Sequence, residues 1–219
     1  MRMPEAWIER LPLLARARTP WRPVPAVALI VACAFYGLFL LQAAQGKGAL
    51  LLIDLVFVPL HEGGHLLFQW FSEPLMVAGG TLLQVAVPAM LVAFFFSQRE
   101  VQGTAFCAFF FFEQFLPIAT YMADARAQEL PLLSVGDSDQ VIHDWNYLFA
   151  RWGLLAHDTQ IAQAVRIVGW IGMVGTVGWM VWRSLESETP ARAGGLSRTG
   201  ADRADGEERL ERRGRNHRV

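Results

Sequence analysis

The stretch Leu51–Phe71, LLIDLVFVPLHEGGHLLFQWF, decides how the rest of the chain is read. It is an apolar run long enough to cross a bilayer, and it carries His61-Glu62-Gly63-Gly64-His65 near its middle. On a helix, residues four apart lie on one face, so His61 and His65 can share one metal ion. Glu62 is rotated by about 100° from His61 and stays close enough to hold a metal-bound water. This is the H-E-x-x-H arrangement of zinc hydrolases. Ionisable groups at the depth of a hydrocarbon core are costly, and a divalent cation is the simplest compensating partner for this cluster. The alternative is two packed histidines and a glutamate bonded to other polar groups inside a helix bundle. Gly63 and Gly64 each cost the helix about 1 kcal/mol relative to Ala. Their use would be to let a partner helix or a substrate backbone approach closely.

Outward from this stretch, the composition divides sharply. The 219 residues are 53% hydrophobic, yet Arg is concentrated at the two ends. The body between them is more apolar than a soluble domain and reads as integral membrane. Three regions follow: a basic leader over 1–23 that could lie on an anionic membrane surface, a transmembrane domain over 24–185, and a polar tail over 186–219 expected to be disordered. The net charge of −1 says little about partners, and no nucleic-acid partner is expected. Lipid is the implied partner, and the compartment expected is a bacterial inner membrane, crossed several times. Cys33 and Cys107 both lie in apolar segments and read as packing residues.

The expected fold is all-α: a bundle of about five transmembrane helices with one short interfacial helix. The crossings are Val24–Ala44, Ala49–Phe71, Met76–Ser97, Gly103–Ala125 and Thr159–Ser184. The first is a retained signal anchor, with the basic flank before it placed in the cytoplasm; five crossings then put the tail on the opposite side. Asp139 could cap a short helix running to about Leu155, whose aromatic residues suit an interface. Pro59 removes a backbone donor just before His61. Asp54 falls on the His61 and His65 face, where it could accept a bond from an imidazole or simply stand near the helix start. Gln84, inside the third helix, could bind a substrate backbone or form an interhelical hydrogen bond.

Zinc needs a third protein ligand and an open position. The candidates are Asp124, Glu113, His143 and His157. Asp124 is preferred because it lies at the polar end of the fourth helix. His143, in an His-Asp-Trp run beside a second acid, could fold back over the site.

HEGGH in a membrane helix, a Gly-rich third helix and a fourth helix with Pro117 upstream of Asp124 together resemble the site-2 protease family of intramembrane zinc metalloproteases. The resemblance covers roughly 49–126. It implies a three-helix core, His61 and His65 as zinc ligands, Glu62 as general base and Asp124 as the aspartate of the family's N-x-x-P-x-x-x-L-D-G motif. Here Gln114 stands in place of the motif's Asn, and Ala125-Arg126 follow Asp124 in place of Gly. The substrate implied is a membrane helix that unwinds locally, with Gly79, Gly80, Thr81 and Gln84 positioned for strand-like capture. Two other classes stay open. One is a non-catalytic metal protein with a closed site, for example His61, His65, Asp124 and His143. The other is a zinc hydrolase acting on a lipid or a small amide.

Overall fold

A computed structural model describes residues 19–45, 51–130 and 143–215, with side chains described on the second helix from Val56 and on the last as far as Glu186. Asp139 and most of the basic leader lie outside the described residues. The helices are α1 (Ala26–Ala44), α2 (Leu51–Phe68), α3 (Glu73–Ser97), α4 (Val101–Glu113), α5 (Phe115–Ala123), α6 (Asp144–Trp152) and α7 (Asp158–Arg215), with a single 3-10 turn at Leu155–His157. No strand occurs among the described residues.

Local chemistry sets the boundaries. Pro25 precedes α1, and Pro74 sits in the first turn of α3, where a missing N–H costs nothing. The Glu100 carboxylate accepts from the Gly103 N–H at the start of α4. Gly153, in the left-handed conformation at φ 69°, ends α6. The fourth helix was expected to run unbroken to Ala125, but it divides at Gln114. Pro117 has no N–H to offer the Glu113 carbonyl, so the ladder fails there.

Four helical segments among the described residues are long and apolar enough to cross a membrane: Ala26–Ala44, Glu73–Ser97, Val101–Ala123 and Leu155–Glu186. They carry Ile30, Val31, Phe94, Ile171 and Val174 exposed, as lipid-facing side chains would be. The expected number was five. The fifth expected crossing corresponds to α2, described as helix over Leu51–Phe68 with side chains from Val56 onward.

The ends of the bundle have different chemistry. Trp21 packs on Phe96 and Trp179 at 5.1 and 5.3 Å, with the guanidinium groups of Arg99 and Arg183 over its ring at 5.0 and 5.2 Å. The Arg22 N–H donates to the Arg99 carbonyl at 2.9 Å. The N-terminal flank, the α3–α4 turn and the Arg183 end of α7 therefore share one end. This corrects the expectation that the two flanks lie on opposite sides, and it agrees with an even number of crossings. The backbone of α7 is helical as far as Arg215, beyond Glu186 where a disordered tail was expected.

At the other end, α2 and α3 form an antiparallel hairpin. Gly64 of α2 meets Gly79 of α3 so closely that a Cβ on Gly79 would lie 2.6 Å from the Gly64 carbonyl oxygen. This backbone contact is what holds His61 and His65 against α3. Beside it, Ile118, Ala119 and Met122 of α5 pack with Trp145, Leu148 and Phe149 of α6. These contacts anchor α6 over the end of the hairpin.

Candidate metal centre

His61 and His65, one turn apart on α2, turn their rings toward the same point, with centroids 4.8 Å apart. The carboxylate that meets them belongs to Asp144, the first residue of α6. Its Oδ2 lies 2.9 Å from His61 Nε2 and 3.4 Å from His65 Nε2. The three donor atoms lie within 4.8 Å of one another, and the group could hold a metal ion. Ligands at 2.0–2.2 Å around a tetrahedral ion stand about 3.3 Å apart, so the two measured separations bracket what an ion would need.

The hydrogen bonds on the far sides of the rings sharpen this fit. His65 Nδ1 bonds the Met76 carbonyl at 2.9 Å, and a carbonyl can only accept, so this nitrogen carries the proton. His61 Nδ1 bonds Gln84 Oε1 at 3.0 Å in the same sense. With both Nδ1 atoms protonated, each neutral ring presents an Nε2 lone pair to the Asp144 carboxylate. Lone pairs facing lone pairs require a cation between them, either added protons or a metal ion. Bonds that fix the outer nitrogen are what metal-ligating histidines use to set tautomer and orientation. Burial alone would raise the Asp144 carboxyl, but the facing His61 and His65 outweigh it and hold it below the usual carboxylate range.

Asp144 is held in place by three contacts to the end of α5. Its backbone N–H donates to the Tyr121 hydroxyl at 3.1 Å. Asn146 Nδ2 donates to the Ala125 carbonyl at 2.7 Å. The ring of His143 stacks on that of Tyr121 at 4.2 Å between centroids, and its Nδ1 accepts from the Asn146 N–H, capping α6.

The expected third ligand, Asp124, stands elsewhere. Its two carboxylate oxygens accept from the backbone N–H groups of Glu129 and Leu130 at 2.9 and 3.1 Å, closing the turn after α5. His143 Nε2 lies 3.3 Å away from it. Burial opposes the Asp124 charge, but these backbone bonds and His143 keep its carboxyl below the ordinary range. His143 is thus a cap and a neighbour of Asp124, and the four-ligand set His61, His65, Asp124 and His143 is not assembled. His157 bonds Gln160 on the surface. Glu113 is buried away from the two histidines and accepts from Gln114. The side chain of Asp54 lies outside the described residues. Glu62 is half-buried, next to His61, and within electrostatic reach of His65 and Tyr121.

Gly79, Gly80, Thr81 and Gln84, the residues expected to capture a substrate strand, lie within α3, as the expected third helix placed them. Gly79 serves the contact with Gly64, and Gln84 bridges His61 to Gln114. Gly80 has a sharper role, because a Cβ there would lie 2.6 Å from His65 Nε2 and 2.7 Å from His61 Nε2. A methyl group at that point would take the space an ion needs. Gly80→Ala should therefore lower metal affinity by at least about tenfold, as loss of a supporting interaction does. Gly63→Ala is the control, since its Cβ meets only Leu83 at an ordinary 3.8 Å; it should keep the metal and gain up to about 1 kcal/mol of helix stability. Competition with a chromophoric chelator checks both, and equal affinity in the two variants would remove the role given to Gly80.

No protein-family model matches this chain, and neither a curated protein nor a solved structure matches it. The site must therefore be read from its own geometry. Asp144 is the residue that sequence reasoning left out. The His-Asp-Trp run drew attention to its imidazole, while the acid beside it opens an aromatic helix that folds back onto α5.

Proposed function

We propose that this protein is a zinc-dependent hydrolase of the membrane that cleaves a peptide bond near the end of a substrate's membrane helix. The observation that supports this most is the convergence of His61, His65 and Asp144 with Glu62 at its edge. Two imidazoles and one carboxylate are a donor set used by catalytic zinc sites, which leave a position open. Zinc held there would polarise a carbonyl and bring the pKa of water down to about 7. His61, His65 and Asp144 bind, and Gln84 and Met76 orient the rings. Glu62 accepts the proton of the attacking water and returns it to the leaving amine. The resemblance to site-2 proteases supports the peptide-bond reading through HEGGH, with Asp144 taking the part first given to Asp124.

The polarity of the bundle adds a direction. Arg22, Arg99 and Arg183 meet at the Trp21 end, which the positive-inside rule assigns to the cytoplasm; the metal site stands at the opposite end. The test combines elemental analysis of purified protein with a panel of membrane-helix substrates weakened at one end or the other. About one zinc per chain is expected, absent from a His61→Ala, His65→Ala double variant, with cleavage only of substrates weakened at the non-cytoplasmic end. Zinc without cleavage of any peptide would reject the peptidase reading, and equal zinc in both proteins would reject the site.

A further inference from the structure

Three buried polar residues lead away from His61 in a single file. Gln84 Oε1 faces His61 Nδ1 at 3.0 Å. Gln84 Nε2 donates to Gln114 Oε1 at 2.7 Å. Gln114 Nε2 donates to Glu113 Oε2 at 2.7 Å. Gln84, Gln114 and Glu113 are 8%, 0% and 1% exposed. Buried polar groups of this kind are expensive in an apolar bundle unless satisfied, and of the three only Gln84, which orients the His61 ring, has a part in the reaction proposed above.

We propose that Glu113 is a positioning residue that sets the tautomer of His61 through the two glutamines, and so keeps His61 Nε2 free to bind metal. A carboxylate has acceptors only, whereas a carboxamide has a donor end and an acceptor end. Glu113 Oε2 accepts from Gln114 Nε2, so the NH2 of Gln114 faces Glu113; the reverse orientation against an acceptor oxygen would set two oxygens 2.7 Å apart with no hydrogen between them. Gln114 then offers an oxygen to Gln84, and Gln84 offers an oxygen to His61. That oxygen needs a proton on Nδ1, which leaves the lone pair on Nε2. Reversing the file would present an NH2 to Nδ1 and move the imidazole proton to Nε2, where it would block the metal. His65 needs no such device, because the Met76 carbonyl is an acceptor whatever its surroundings. The break in the helix at Gln114 puts Glu113 and Gln114 at the junction of α4 and α5.

This inference rests on the metal reading of the site but not on peptidase activity, and its test uses neither substrate nor turnover. Nitrogen-15 NMR of metal-free protein, at a pH above imidazole titration, reports which ring nitrogen carries the proton. In the wild type His61 should be protonated at Nδ1. Glu113→Gln, which can point either way, should give a mixture of tautomers and about tenfold weaker zinc binding, the low end of what outer partners of a ligand contribute. Adding Gln84→Glu restores an acceptor-only group directly against Nδ1 and should recover both the tautomer and the affinity. Gln114→Met, which cuts the file without touching the buried carboxylate, should reproduce the loss if Glu113→Gln does not fold. A wild-type His61 protonated at Nε2 overturns the proposal. So does a file-breaking variant whose tautomer and zinc affinity match the wild type.

Discussion

Asp144→Asn should cost the protein its metal, while Asp124→Asn should keep it. Asp144 is the one carboxylate among the described residues that faces both imidazoles. Changing it to a carboxamide removes the negative charge that a dication needs and turns one oxygen into a donor that no cation can use. Outer partners of a metal ligand are worth about 10–100-fold in affinity, so loss of a ligand itself should exceed about 100-fold. The fold should survive, because α6 is tied to α5 by the Asp144 backbone N–H, Asn146 and the cap of His143, none of which the substitution alters. Asp124 presents the reverse case. Its oxygens hold the turn through Glu129 and Leu130, so Asp124→Asn should lower stability by about 1–3 kcal/mol with metal affinity close to wild type. Thermal unfolding and chelator competition on the two variants separate these outcomes. Zinc lost from Asp124→Asn and kept by Asp144→Asn would reverse the assignment.

The parts of this site that sit on one helix were legible in the sequence, and the part that joins two segments was not. His61, Glu62 and His65 are fixed relative to one another by helical spacing alone, with no tertiary information. Gly63 and Gly64 also signalled close approach, and the packed hairpin shows that Gly64 makes it, against Gly79, while Gly63 meets only Leu83 at an ordinary distance; Gly80, read as part of a substrate site, meets the rings. Asp144 was out of reach because its place depends on how the connection after α5 folds back. Asp124 and Asp144 have the same side chain, and which of them faces α2 is decided by Tyr121, Asn146 and His143, whose contacts are long-range. Gln84 illustrates the same limit from the other side. Its polarity within an apolar helix announced a partner, and its partners are His61 and a second glutamine, Gln114.

Glu62→Gln should leave zinc in place and abolish turnover. Glu62 follows His61 directly, so it is rotated by about 100° from the ligand face, and it is not one of the three converging donors. Its side chain is half-buried and within electrostatic reach of His65 and Tyr121. A glutamine of the same size preserves the packing and can still orient the attacking water through its carbonyl oxygen, but it has no basicity at neutral pH. General base catalysis of this kind contributes about 10²–10⁴-fold, so cleavage should fall by at least about two orders of magnitude while zinc affinity stays within about tenfold of wild type, since no ligand or ligand partner is removed. The combination is what separates a base from a ligand: a ligand variant loses metal and activity together, as His61→Ala should, whereas Glu62→Gln should lose activity alone. Measuring zinc content and cleavage on the same preparation gives both readings at once. Turnover retained at the wild-type rate would mean that another group moves the proton, and zinc lost along with the carboxylate would place Glu62 among the ligands.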